Sequence, residues 1–415
     1  MKLKDVIESA NTGLDAIQRA PIVNYNTGIK CLRIGDISQK NNFENWGFSK
    51  VDEENYKKFK LKKNDILIAR TGNTIGVNII INKELNSVYN NGLIRLRIKN
   101  EYNPMYIYFL IQSKKFDNYI KSICFGTSTQ PNMKINDLLE FEIPDIELSK
   151  QNKIVNILKK IDDKIELNNQ TNDNLYKMMK IKFKDWITNL NKYEVSSLSK
   201  IANYTNGLAM QKFRPKDNEE SLPVIKIKEM NDGITENTER CSTNIKDEVI
   251  INNGDVLFAW SGTLCMSIWG KGKAGLNQHI FKVTSDKYPK WFYYFWTLKH
   301  LNKFKMIAAG KATTMGHIKR GELDISEVLI PEDKELQEMH KIMQPLFNKY
   351  INNLIQNETL TQLRDTLLPK LMNCEIDLDK IENYYNKLLF VLVKMEKLVL
   401  FNNEETEKVI NIVIK

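Results

Sequence analysis

Gly270-Lys271-Gly272-Lys273-Ala274-Gly275 carries the glycine spacing of a dinucleotide-binding loop, where the backbone and a helix N-terminus cradle a pyrophosphate. That chemistry needs a strand before the loop and a helix after it. Here the following residues, Leu276-Asn277-Gln278-His279-Ile280-Phe281-Lys282-Val283, alternate as a strand does. The segment therefore reads as a basic hairpin turn. No GxxxxGK[ST] phosphate loop occurs. The four histidines (His279, His300, His317 and His340) form no HExxH pair and have no second ligand at metal spacing, so each reads as a core or surface histidine. The five cysteines (Cys31, Cys124, Cys241, Cys265 and Cys374) are scattered without a CxxC pair, which points to neither a zinc site nor a disulfide framework. There is no Asn/Asp-Pro-Pro-aromatic motif for amino-group methylation, and no set of nucleophile, base and orienting group. The chain reads as a binder rather than a catalyst.

The elements that would position binding residues are duplicated. Asn64-Asp65-Ile66-Leu67-Ile68-Ala69-Arg70-Thr71-Gly72 is echoed by Gly254-Asp255-Val256-Leu257-Phe258-Ala259-Trp260-Ser261-Gly262. The echoes continue in order. PMYIYFL from Pro104 answers PKWFYYF from Pro289, Gly126-Thr127-Ser128-Thr129 answers Gly310-Lys311-Ala312-Thr313, and Phe141-Glu142-Ile143-Pro144 answers Val328-Leu329-Ile330-Pro331. A period this long marks a duplicated domain rather than a solenoid unit. Each copy is expected to hold short strands, such as Ile66–Ala69 and Leu93–Ile98, and one helix, over 105–122 in the first copy and 291–307 in the second.

After each copy comes a long helical segment. In the first, Ile154, Leu158, Ile161, Ile165, Asn168, Asn172, Leu175, Met179, Lys182 and Trp186 step by four and three without a break, the heptad seam of a helix packed along another helix. In the second, the seam reads Ile342, Leu346, Lys349, Asn353, Gln356, Leu360, Leu363 and Leu367. Both are polar in the middle, and matching polar layers predict an antiparallel pair, a spacer of roughly 55 Å at 1.5 Å per residue. Pro345 should kink or restart the second helix.

The formal net charge is +10, with pI about 9.0, which favours an anionic partner such as nucleic acid or a membrane surface. The charge is +5 over residues 1–146, +4 over 147–193, +4 over 194–331 and −3 over 332–415, so the excess sits on the repeats and the first helix. The start MKLKDVIESA has no apolar core of signal-peptide length, and the apolar run at 388–393 is too short to span a bilayer; a cytoplasmic protein is expected.

Gln151-Asn152-Lys153-Ile154-Val155-Asn156-Ile157-Leu158, continuing through Ile161-Asp162-Asp163-Lys164-Ile165-Glu166-Leu167-Asn168, resembles the central conserved helix of type I restriction–modification specificity subunits. Leu363-Arg364-Asp365-Thr366-Leu367-Leu368-Pro369-Lys370-Leu371-Met372 resembles the end of that family's distal helix. The resemblance covers residues 1–376. It implies an α+β chain with two similar α/β target-recognition domains in pseudo-twofold arrangement, separated by two long helices in an antiparallel coiled coil. The implied division is 1–146 and 194–331 for the recognition domains, 147–193 and 332–376 for the helices, and 377–415 for an extension of no assigned role. The implied function is to read a bipartite, asymmetric site on double-stranded DNA without catalysis. Two methyltransferase subunits would bring S-adenosylmethionine, and two motor–nuclease subunits would bring ATP and Mg²⁺.

On that reading, polar loop residues that follow strands or helices are the candidate DNA contacts. They are Arg70, Asn73, Thr129 and Gln130 in the first copy, and Trp260, Lys271, Lys273, Lys311 and Thr314 in the second. Arg70 is matched by Trp260 and Gln130 by Thr314, so the half-sites are expected to differ. The coiled-coil seam would be carried by Ile154, Leu158, Ile161, Ile165, Leu175, Met179, Ile342, Leu346, Leu360, Leu363 and Leu367. Two rivals stand beside this reading: the recognition half of a fused restriction–methylation enzyme, and a coiled-coil scaffold or inhibitor without sequence-specific DNA binding.

Overall fold

The computed structural model describes residues 1–39, 41–124, 132–310, 316–373 and 375–376. The chain divides into two compact units. One holds Met1–Lys160 with the described residues from Arg364 onward, and the other holds Ile161–Leu363.

Each unit is built on the same four-stranded antiparallel sheet. In the first unit the order is Ile7–Thr12, Leu93–Ile98, Ile66–Ala69, Asn78–Ile80; in the second it is Asn203–Asn206, Ile280–Thr284, Val256–Ala259, Cys265–Ile268. A second four-stranded sheet follows in each, and both copies contain one parallel pairing, Lys30–Leu32 with Ser87–Tyr89 and Ser221–Ile225 with Ala274–Leu276. Ile66–Ala69 and Val256–Ala259 read as unbroken apolar runs because both faces of each strand are covered. In the second unit Val256 and Phe258 face the helix Lys290–Ala309, with Phe258 stacked on Phe304 at 5.8 Å between ring centroids. Leu257 and Ala259 face the second sheet through Ile225 and Leu276. The module is thus a helix layer and two four-stranded sheets.

The chain enters and leaves each module side by side. Tyr193–Ser197 pairs antiparallel with Glu327–Pro331, and in the first module Leu3 N donates to Phe141 O (2.8 Å) and Ile143 N to Met1 O (3.0 Å). The two Ile-Pro echoes mark the ends of these closing segments, a strand pair in the second module and an isolated bridge, Lys2 with Glu142, in the first.

Two long helices follow the modules, Leu148–Thr188 and Asp333–Met372. Within the second unit they run antiparallel. Asn168 donates to Gln356 Oε1 (2.7 Å) and Asn357 Oδ1 (2.8 Å), whereas Asn172, one turn later, donates to the Tyr350 carbonyl (3.1 Å) and accepts from Asn353 (2.9 Å). Asn357 also donates to Asn169 (2.7 Å). Asn168, Asn172, Asn353 and Gln356 are buried, and their pairing removes most of the penalty of placing polar groups in a seam. The apolar seam residues Ile154, Leu158, Ile161, Leu175, Met179, Leu360, Leu363 and Leu367 are all buried, and Ile165 and Leu346 are half-buried.

Four expectations change. Ile342 is not in a seam: it is 47% exposed, whereas Met343 and Phe347 are fully buried. Phe347 sits against Tyr294 and Phe295 (5.6 and 6.4 Å), so the aromatic core of the module sets the rotation of the distal helix there. Pro345 does not restart that helix, which runs unbroken from Asp333 to Met372. Pro345 and Lys341 are exposed, so water can take the carbonyl that the missing N–H leaves open. The helix expected at 105–122 is two helices, Pro104–Ile111 and Lys114–Cys124. Ser113 divides them, its hydroxyl accepting from Phe116 N (3.2 Å) as an N-cap does. Finally, residues 270–275 are not a hairpin turn, because Cys265–Ile268 and Ala274–Leu276 belong to different sheets. Gly272, at φ 84°, makes the crossing. No helix among the described residues is long and apolar enough to cross a membrane.

Candidate nucleic-acid interface

The repeated Asp begins the sheet rather than touching a ligand. Asn64 and Gly254 take positive φ (72° and 84°), a turn that brings Asp65 and Asp255 back to accept from Lys62 N and Asn252 N, each at 2.8 Å. Each carboxylate then meets a cation of a neighbouring strand: Arg97 with Asp65 (2.7 and 3.1 Å), Lys282 with Asp255 (3.1 Å). The hydrogen bonds to Asp65 hold the Arg97 guanidinium above its ordinary pKa, whereas burial pulls down that of Lys290, which donates to Gly254 O (2.7 Å).

The same strands end on residues that do differ. Arg70 follows Ile66–Ala69. Its N–H donates to Gly92 O (2.9 Å), its carbonyl accepts from Met133 N (2.8 Å), and Nε and Nη2 both donate to Asn132 Oδ1 (3.2 and 2.9 Å). Trp260 occupies the same place in the second module, donating to His279 O (3.3 Å) and accepting from Ile318 N (3.1 Å). Its indole stacks on Phe281 (5.6 Å), meets His279 and His317 (6.0 and 6.3 Å), and donates through Nε1 to Asn206 Oδ1 (3.0 Å). Beside each of these strand ends a glycine permits a close crossing. A Cβ at Gly13 or Gly207 would lie 2.2 Å from the carbonyl of Tyr89 or Asn277.

The other candidates are not all gathered here. Asn73 lies in the short helical turn Gly72–Thr74 next to Arg70. Lys271 and Lys273 sit in the crossing turn, where Gly270 abuts Leu354 of the distal helix and the Trp269 indole donates to Gly272 O (2.5 Å). That turn follows Ile268, which pairs with Val256, and so lies the length of a strand away from Trp260. Thr129, Gln130, Lys311 and Thr314 fall outside the described residues.

Asn132, Asn206, His279 and His317 were not among the candidates, although the signal was present. Asn132-Met133-Lys134 and His317-Ile318-Lys319 extend the late echo by one more step, and Asn11-Thr12-Gly13-Leu14 answers Thr205-Asn206-Gly207-Leu208. The other two histidines are structural, His340 accepting from the Trp291 indole (3.2 Å) and His300 Nε2 bonding Glu327 O (2.8 Å). Among the described residues no cluster of His, Cys, Asp or Glu could hold a metal ion. Cys31, Cys124, Cys241 and Cys265 are free thiols, and burial pushes that of Cys31 up to about 12.

Comparison with known proteins matches both modules to one family. The family model described as "Type I restriction modification DNA specificity domain" covers residues 1–177 and 191–362. The type I restriction enzyme MjaIX specificity subunit of Methanocaldococcus jannaschii is 26% identical over 309 residues, 66% of this chain and 70% of that protein. The HindI specificity subunit of Haemophilus influenzae is 23% identical over 405 residues, 76% of this chain and 87% of its own. In fold, the chain is similar to the crystal structure of a type I restriction-modification system S subunit from M. genitalium. The TM-score is 0.51 at 16% identity, covering 90% of this chain and 95% of that one. With two copies of the matched domain, each ending its central strand on a different half-buried side chain, this chain belongs to the type I restriction modification DNA specificity domain family.

Proposed function

We propose that this chain is the DNA-sequence specificity subunit of a type I restriction–modification complex, reading a bipartite and asymmetric duplex site with no catalysis of its own. The observation that carries this is the pair of equivalent strand ends. One backbone frame, repeated bond for bond, presents Arg70 and Asn132 in one module and Trp260 and His317 in the other. A shared frame with different side chains suits two readers of different sequences. The basic surplus on the modules would supply the sequence-independent phosphate attraction.

The long helices would act as the spacer and as the scaffold for methyltransferase and motor–nuclease subunits. Those partners would bring S-adenosylmethionine, ATP and Mg²⁺. The solved M. genitalium relative is itself named as a system's S subunit.

Methylome sequencing of a host carrying this chain with its methyltransferase subunit tests the proposal, together with gel-shift binding by the purified pair. A split methylation motif with unlike halves is expected, and binding should fall steeply between about 50 and 200 mM salt as counterion release becomes costly. Purified chain alone should turn over neither S-adenosylmethionine nor ATP. A continuous motif, salt-indifferent binding or turnover by the isolated chain would overturn the proposal. A complex that assembles and binds no sequence preferentially would favour a scaffold without recognition.

A further inference from the structure

We propose that Arg70, positioned by Asn132, reads a guanine in the half-site of the first module, and that the second module reads its half-site without an equivalent guanidinium. This rests on the specificity-subunit reading above and names the base chemistry of one of its contacts.

Arg70 is a half-buried side chain at a strand end, held at both its backbone and its guanidinium. Its backbone is tied on both sides, by Gly92 O and by the N–H of Met133, which is itself 1% exposed. The guanidinium is fixed as well, with Nε and Nη2 on the single oxygen Asn132 Oδ1. The rotamer entropy that a long side chain loses on binding has thus been lost already on folding. The holder is a neutral amide, and no carboxylate among the described residues pairs with Arg70, so its charge stays uncompensated. Arg97 shows the contrast, since its fork is consumed by Asp65 at 2.7 and 3.1 Å.

A guanidinium is a planar fork of five N–H donors. With Nε and one N–H of Nη2 given to Asn132, the end-on edge remains: Nη1 and the outer N–H of Nη2. Two parallel donors match either the O6/N7 pair of guanine in a major groove or two phosphate oxygens. The comparison between modules decides for the base. A phosphate contact carries no sequence information and has no cause to differ between copies. Here the backbone frame is retained while the side chain changes to Trp260, whose one donor is spent on Asn206 at 3.0 Å. The difference lies where sequence would be read.

The test is selection of bound sites from a randomised duplex library, using the full chain with its methyltransferase subunits. Wild type should return a motif with a G·C pair at one position that Arg70→Ala relaxes. The loss of discrimination there should be roughly 5- to 150-fold, the worth of one bidentate base contact. All other positions should be kept, and Trp260→Ala should alter only the opposite half-site. Asn132→Ala should weaken the preference at the same position, and Asn132→Asp, which keeps the acceptor oxygen but adds a negative charge, should keep the preference there while lowering affinity for every sequence. A role in stability alone would not change the identity of one base, and thermal melts of each variant check the fold. If Arg70→Ala lowers affinity for every sequence equally and leaves the motif intact, Arg70 is a phosphate contact and the proposal falls while the specificity reading stands. A relaxed position that is not guanine also overturns it. If wild type selects no motif, the specificity reading itself fails.

Discussion

At the scale of single residues, the repeated Asp shows how a duplicated signature can be architectural. Asp65 is 2% exposed at its side chain and carries two hydrogen bonds to Arg97 and one to Lys62 N. Asp65→Ala would leave a half-buried guanidinium with much of its pairing gone, and should cost about 2–3 kcal/mol in urea unfolding. Asp255→Ala should cost less, because Asp255 is the more exposed carboxylate (18% against 2%) and meets Lys282 through one contact at 3.1 Å. Equal costs would show that the two aspartates do not anchor their sheets in the way the geometry indicates. His300 gives a pH dependence. Burial holds its imidazole below the ordinary histidine value, with the nearby Lys299 and Lys303 adding to the effect. The unfolded chain therefore takes up the proton first as pH falls. The stabilisation is complete above about 6.5 and is lost as pH drops toward the lowered folded value. Thermal melts from about pH 7.5 to about pH 5.5, a range spanning the ordinary histidine value, should fall more steeply for wild type than for His300→Gln.

At the scale of elements, the heptad names the buried face along much of the first helix and only toward the end of the second. Along 154–179 and 360–367 the spacing of apolar residues names the buried face correctly, and the polar centre pairs amide to amide. Toward its start the distal helix packs on the module instead, and Met343 and Phe347 displace Ile342 from the buried face. Phe347→Ala should destabilise by about 3–5 kcal/mol, as core truncations of that size do, and Ile342→Ala by well under 1 kcal/mol. Chemical denaturation of the two variants checks the assignment, which the reverse order would overturn. Leu363→Ala, at 1% exposure, should fall between them at about 2–4 kcal/mol.

At the scale of the whole molecule, two modules of one topology and two long helices let the proposed spacer role be tested through the recognised sequence. Adding four residues to each helix adds roughly 6 Å of rise, close to two base pairs of duplex at 3.4 Å each. The methylated motif should then gain about that much unread gap, with both half-site sequences unchanged. A gap indifferent to the insertion would show that the helices do not set the spacing.

Much of this protein could be read from the chain alone, because duplication writes each element twice and periodicity survives without coordinates. The two modules, the strands Ile66–Ala69 and Val256–Ala259, the two long helices and their polar centre all follow from spacing and burial preference, which are local or nearly so. What needed tertiary structure was every feature in which distant segments compete. Only packing shows that Phe347 takes the face expected for Ile342, or that residues 270–275 cross between sheets instead of closing a hairpin. Only packing brings Asn132 to Arg70 across 62 positions, and Asn206 to Trp260 across 54. A hydrogen bond between side chains so far apart leaves no periodic trace, since its geometry is set by how the strands between them fold together. The elements were legible one by one, and the residues that meet at their ends were decided by the fold.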